Sequence, residues 1–310
     1  MTHSFFSQEL TMWLVAAFAL AGGLAQLVDG TLGMGFGVTS ATVLLALGVA
    51  PATASAATHA AKLPTTLISG LSHWRVGNVD KGVFLRVAIP GAIGGFLGAV
   101  VLTSISLEAA KGGMAGLLLF FGAVILARFG FGMRIIPTPK SGHTARWLSP
   151  IGLLGGFVDA TGGGGWGPVV TPSLMTVTSH EPRKVVGTTN AAEFAVAVSV
   201  SIGFITGAAH QDIPWLPVLG LVLGGVIVAP IAARLAGRLP HAPMGVMVGG
   251  LIILVNSIAV LGSFADLPLP VDLALIVGWI VLVAQVAWKA WLRERAGRTQ
   301  DEVPTEPTPA

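Results

Sequence analysis

Two stretches of this chain hold glycine at a density that a helix does not sustain: Asp29–Gly37 (DGTLGMGFG) and Asp159–Gly167 (DATGGGGWG). Gly33, Gly35 and Gly37 recur at every second position, and Gly162 to Gly165 stand in a row before Gly167, so neither set lies on one helix face. Each costs about 1 kcal/mol relative to alanine inside a helix. Pro168 suits the first turn of a helix that restarts after the second run. A restarting helix offers the free N–H groups of its first turn and the positive end of its dipole, which together favour an anion. On that reading Gly33, Gly35, Gly163 and Gly165 bring backbone amides to a substrate. The blander alternative is that these glycines only let helices pack closely. Asp29 and Asp159 open the two stretches, where an aspartate either caps exposed N–H groups or carries a proton. Thr31 and Thr161 either offer their hydroxyls to a ligand or bond back to their own helix.

The two stretches belong to a repeat. Val28–Gly37 aligns with Val158–Gly167 position by position, and Pro51–Lys62 (PATASAATHAAK) aligns with Pro182–Glu193 (PRKVVGTTNAAE) after one inserted residue. The second block adds a further set of chemical groups. His59 and Lys62 stand three apart, hence on one helix face, and Asn190 and Glu193 hold the equivalent places. Ionisable groups inside apolar segments cost roughly 2.5–3.5 kcal/mol to insert and by default mark function. Under a pseudo-twofold relation Lys62 and Glu193 approach each other. They then either form an ion pair locking the halves together, or Lys62, His59, Thr189 and Asn190 bind an anion while Glu193 or His59 exchanges a proton.

The elements that must position these residues are membrane helices. Of the 310 residues, 53% are hydrophobic and 10% charged, with 42 glycines and a mean hydropathy of +0.82. Soluble domains carry about a quarter charged residues. Apolar segments fall near 12–28, 38–48, 52–72, 82–103, 108–129, 148–158, 168–178, 184–206, 214–236, 244–262 and 271–292, several of them long enough to cross about 30 Å of hydrocarbon. Met1–Leu10 lacks the basic n-region of a signal peptide, so Met12–Val28 reads as part of the mature protein. Trp13, Trp215, Trp279, Trp288 and Trp291 fit interface belts. His73, Trp74, Arg75, Asn78 and Asp80 read as a solvated loop or a gate, and Glu108, Lys111, His210 and Asp212 as solvated loop edges. The tail 293–310 reads as disordered.

Loop charges orient the chain. Arg128, Arg134, Lys140 and Arg146 make the 130–147 linker cytoplasmic. So are the connections bearing Arg75, Lys81 and Arg86, Arg183 and Lys184, and Arg234 and Arg238, while 263–270, with only Asp266, faces outward. These assignments agree if 148–178 is a broken hairpin entering from the cytoplasm and 12–48 one entering from outside. The expected fold is therefore an all-α polytopic membrane protein of two inverted repeats, 1–129 and 148–262. Each is a glycine-broken hairpin plus three spanning helices, and an additional helix at 263–292 leaves the C-terminus cytoplasmic and the N-terminus periplasmic. Inverted repeats with broken helices characterise secondary transporters.

Much chemistry is excluded. The chain has no cysteine, so thiolate metal sites and cysteine nucleophiles are out. No phosphate-loop lysine, hydrolase elbow or zinc-protease motif occurs. Basic residues sit at helix ends rather than in one stripe, against nucleic acid as a partner. We expect no cofactor, no metal and no enzymatic activity, with a small anion and the lipid bilayer as partners.

The paired motifs VDGTLGMGFG and VDATGGGGWG, with THAAK…SGLSHWRVGNVD and VGTTNAAEF, resemble the signature of the TauE/SafE sulfite exporter family over roughly residues 12–290. The first break departs from that family's run of consecutive glycines. The resemblance implies a carrier that exports sulfite or short organosulfonates across the bacterial inner membrane. An anion channel, a carrier for another small anion and a non-transporting membrane subunit remain the alternatives.

Overall fold

A computed structural model describes residues 2–133, 144–207, 213–261 and 269–301. In order the helices are α1 (Thr2–Leu32), α2 (Phe36–Ala46), α3 (Pro51–Arg75), α4 (Lys81–Ser104), α5 (Leu107–Phe131), α6 (Thr144–Gly162), α7 (Trp166–Val177), α8 (Pro182–Thr206), α9 (Trp215–Leu235), α10 (His241–Leu261) and α11 (Leu269–Asp301). The chain is an all-α polytopic membrane protein. Among the described residues, seven helices are long and apolar enough to span a bilayer. Helix α3 is as long, but its inward face is polar, with Ser55, His59, Lys62, Thr65 and Ser69 all buried. Helices α2 and α7, at 11 and 12 residues, rise only about 16–18 Å and reach partway across.

Helix ends sort into two faces. The turn after α3 lies on the start of α8, where the Asp80 amide donates to Thr188 Oγ1 at 2.9 Å. Asn78 Nδ2 donates to the Ala233 carbonyl near the end of α9 at 3.3 Å. Phe129, near the end of α5, packs on Gly245 in the first turns of α10. This end therefore gathers Arg75, Lys81, Arg128, Arg183, Arg234 and Arg293, and we refer to it as the basic face. At the opposite end Thr103 of α4 meets Gly207, which closes α8.

The two broken hairpins open toward different faces. Helix α1 runs parallel to α9, with Gly22 against Leu221 and Gly30 against Ala232, and so descends toward the basic face before α2 turns back. Helix α6 runs parallel to α4, with Gly152 against Val87 and Gly98 against Phe157, and so starts at the basic face, to which α7 returns. Both seams are tight because glycine lines them. A Cβ on Gly224 would lie 1.7 Å from the Ala19 carbonyl oxygen, and one on Gly156 1.9 Å from that of Gly91. Such approach is how membrane helices gain van der Waals contact without a hydrophobic drive. The repeat-equivalent helices α3 and α8 are antiparallel, since Ser69 of the former bonds Asn190 of the latter while His59 lies by Phe204.

Two expectations change. His73 and Asn78 are buried rather than solvated, because the turn 76–80 is pressed between α8 and α9; Trp74 and Arg75 are exposed. Residues 293–301, expected to be disordered, continue α11. There Arg293 donates to the Gly130 carbonyl, and the Glu294 carboxylate accepts from the amides of His241 and Ala242 at 3.1 and 2.9 Å, capping α10. Capping carboxylates stabilise a helix start. Glu108 and Lys111 are exposed. Residues 134–143, His210, Asp212, 263–268 and 302–310 lie outside the described residues.

Candidate functional site

Each glycine break is bridged by its aspartate. Asp29 Oδ1 accepts from the Phe36 amide at 3.3 Å, and Asp159 Oδ1 from the Trp166 amide at 3.0 Å, so both carboxylates cap the half-helix beyond the break. Gly33 and Gly163 end α1 and α6 at φ of 72° and 71°, a left-handed conformation that favours glycine. The next glycines differ. Gly35 has φ 143°, whereas Gly165 has φ −81° and is needed for space, as its Cβ would meet Val158 at 2.5 Å.

The breaks cross backbone to backbone. A Cβ on Gly37 would fall 2.6 Å from Gly164 Cα, and one on Gly167 2.5 Å from Met34 Cα; these two contacts exchange under the repeat. Thr171 Oγ1 donates to the Gly33 carbonyl at 2.6 Å, and Ala41, at the equivalent place in the first half, packs on Gly163. The hydroxyls of Thr31, Thr161 and Thr189 donate back to their own helices, at 2.7 Å to Leu27, 3.0 Å to Phe157 and 3.0 Å to Val185.

Beside the crossing lies a buried charge cluster. Lys62 Nζ stands 2.7 Å from Asp159 Oδ1 and 2.9 Å from Glu193 Oε1, with all three side chains essentially inaccessible. His59 Nε2 is 3.0 Å from Asp159 Oδ2, and its Nδ1 is 2.8 Å from the Ser55 carbonyl oxygen. Both ring nitrogens therefore face acceptors, which a neutral imidazole, with one N–H, satisfies at only one of them. Asn190, equivalent to His59, likewise reaches across to the opposite break: its Nδ2 donates to the Asp29 carbonyl at 3.2 Å, and its Oδ1 accepts from Ser69 at 2.8 Å. Two carboxylates, those of Asp159 and Glu193, thus hold one ammonium, with His59 against the first.

The cluster places Lys62 differently from a lysine waiting for an anion, because two carboxylates already occupy it. The repeat pointed Lys62 toward Glu193 but not toward Asp159, which needs the three-dimensional crossing of α3 and α6. Ser55, whose hydroxyl donates to the Ala160 carbonyl at 2.6 Å, and Trp166, whose indole donates to the Thr189 carbonyl at 3.0 Å, were also missed. Ser55 is one helical turn before His59, and that spacing was the available signal.

A family profile described as Sulfite exporter TauE/SafE matches residues 18–258. The chain is 48% identical over 241 residues to "Probable membrane transporter protein YtnM" of Bacillus subtilis, covering 77% of this chain and 80% of that protein. It is 26% identical over 215 residues to "Probable membrane transporter protein YdhB" of the same organism, covering 67% and 83%. No solved structure matches. With a profile spanning most of the chain, a relative at near half identity and two glycine-broken hairpins crossing beside a buried charge cluster, this membrane transporter belongs to the TauE/SafE sulfite exporter family.

Proposed function

We propose that the protein is a secondary carrier for a small sulfur-containing oxyanion, sulfite or a short organosulfonate, exporting it from the cytoplasm across the bacterial inner membrane. The basic face is taken as cytoplasmic from the positive-inside rule. The observation that carries the reading is the crossing of two broken half-helices, from hairpins that open to opposite faces, beside Lys62, Asp159, Glu193 and His59. Antiparallel α3 and α8 favour an inverted pair of repeats, and such pairs place substrate at the repeat interface and alternate access by rocking.

In the closed arrangement the centre is sealed, which favours a carrier over an open pore. The half-helix amides are capped by Asp29 and Asp159 and Lys62 is held by carboxylates, so an oxyanion binds there by exchange. A proton taken up by Glu193 releases one contact of the ammonium, and the anion's oxygens replace it. Proton and anion, bound at the same time, then cross together. A buried site in which Asp159 and Glu193 share one ammonium gains from such added positive charge, because uncompensated buried charge is costly. An anion that keeps a net negative charge beside that proton, such as the sulfite dianion, is also driven out by the membrane potential, negative inside, by about 2.3 kcal/mol per charge per 100 mV.

The test is flux from liposomes containing the purified protein and loaded with sulfite, ethanesulfonate, sulfate or thiosulfate, with and without an imposed pH gradient. Saturable efflux of sulfite or the sulfonate above protein-free liposomes is expected. Background flux for all four anions sinks the substrate class, and flux indifferent to a pH gradient sinks the proton step.

A further inference from the structure

Arg128 is a cation that neither the repeat nor the central cluster accounts for. It lies in α5, one turn from the basic face, half-buried. Among the described residues it forms no ion pair: its guanidinium donates to Met175 Sδ at 2.9 Å and stands over the Phe129 ring at 5.5 Å. A thioether is a weak acceptor for a guanidinium. Arginines near helix ends often snorkel to water, but this one turns inward.

Two cavities share it. One, of about 170 Å³, opens among Arg183, Gly237 and His241 at the basic face and ends on Thr31 and Leu32, the last turn of α1 before the first break. The other, of about 690 Å³, runs between α5 and α7 from Gly132 and Met133 to Pro168, in the first turn after the second break. Arg128, Phe129 and Met175 line both. Water occupies about 30 Å³ in the liquid, so the smaller cavity has room for a small oxyanion with part of its hydration shell. Arg183, paired with Glu181 at 2.6 Å in an exposed position, stands at the mouth as a neutral pair, which leaves Arg128 to supply the charge. Among the described residues the repeat supplies no basic counterpart at the opposite face. The offset that takes Lys62 to Glu193 takes Arg128 to Ala259, and Arg183 aligns with Ala52.

We propose that Arg128 is the anion-selecting residue of a vestibule on the basic face, binding two oxygens of a small sulfonate or sulfite through its planar fork before the anion reaches the breaks. This rests on the carrier reading and adds a residue and a side to it. A guanidinium matches paired oxyanion oxygens where an ammonium offers only a point charge. The one-sidedness makes the proposal specific: capture is strong from the basic face and weak from the other, where the corresponding position is aliphatic.

The test uses the full-length detergent-solubilised protein, with ethanesulfonate and sulfite as probes. Binding is read by thermal shift, and arginine modification by phenylglyoxal is mapped by mass spectrometry. Arg128→Gln should raise the apparent dissociation constant about tenfold or more, the loss of one charge-assisted contact, and Arg128→Lys should recover only part of it. In the wild type, ethanesulfonate should slow phenylglyoxal modification at Arg128 and leave Arg75 unaffected, a readout that does not depend on a variant folding. Equal affinity of Arg128→Gln and wild type, absent protection at Arg128, or no saturable binding to the wild type overturns the vestibule. If wild type and Arg128→Gln then move sulfonate from liposomes equally well, the carrier reading stands without it; if neither moves any, both readings fall.

Discussion

Replacing Lys62 with methionine removes the one ammonium from between the carboxylates of Asp159 and Glu193 and leaves the rest in place. At 2.7 and 2.9 Å, each contact is worth roughly 6 kcal/mol of Coulomb energy at an effective dielectric of about 20. Desolvation offsets most of that in the intact cluster, so the net worth of the pairs is small. Loss of the lysine leaves the desolvation uncompensated, and breaking a buried pair in this way costs about 3–5 kcal/mol. Glu193→Gln is the informative contrast. It removes a charge from an over-negative site and leaves Lys62 paired with Asp159, so its cost should stay below about 1 kcal/mol. The double variant Lys62→Met/Glu193→Gln should recover part of the loss, with a coupling energy of about 1–3 kcal/mol. Unfolding in detergent, followed by thermal and denaturant melts, measures all three. If Glu193→Gln costs as much as Lys62→Met, or if Lys62→Met is neutral, then the cluster is not charge-starved and the argument for an added proton fails with it.

Two further predictions follow from geometry outside the cluster. Gly37→Ala places a methyl 2.6 Å from Gly164 Cα and 2.8 Å from Lys62 Nζ, so overpacking of about 1–3 kcal/mol or more and reduced flux are expected; a melt unchanged from wild type shows that the breaks do not touch. Glu294→Ala uncaps α10 and should lower stability by about 0.5–2 kcal/mol without altering substrate affinity, as melts and binding on one preparation would show; an affinity change instead would tie α11 to the site.

Much of this architecture could be read before any coordinates. Each of the eleven apolar segments falls on one helix among the described residues, most of them to within a few residues but with α1 starting ten residues earlier and α11 ending nine later, because the bilayer leaves little choice but helices. Gly33 and Gly163 marked the ends of α1 and α6 because both adopt a conformation that other residues resist. What could not be read lies at crossings. Asp159 meeting Lys62 depends on the angle at which α6 passes α3, and no spacing within either helix encodes it. The buried turn at His73 and Asn78 looked like a polar loop because its neighbours, α8 and α9, are distant in the chain. Helix α11 was cut short for the same reason, since the groups that hold its end, at Gly130 and His241, belong to other helices.

The facing of Lys62 and Glu193 has a consequence for how such a chain can arise and be rebuilt. A position that meets its own repeat partner must be filled by two residues that tolerate each other. A tandem of two first halves would press ammonium against ammonium, and a tandem of two second halves would press carboxylate against carboxylate with no ammonium between them. Neither half is interchangeable with its sibling, however alike their breaks, and a working minimal version of this protein has to be assembled as a heterologous pair.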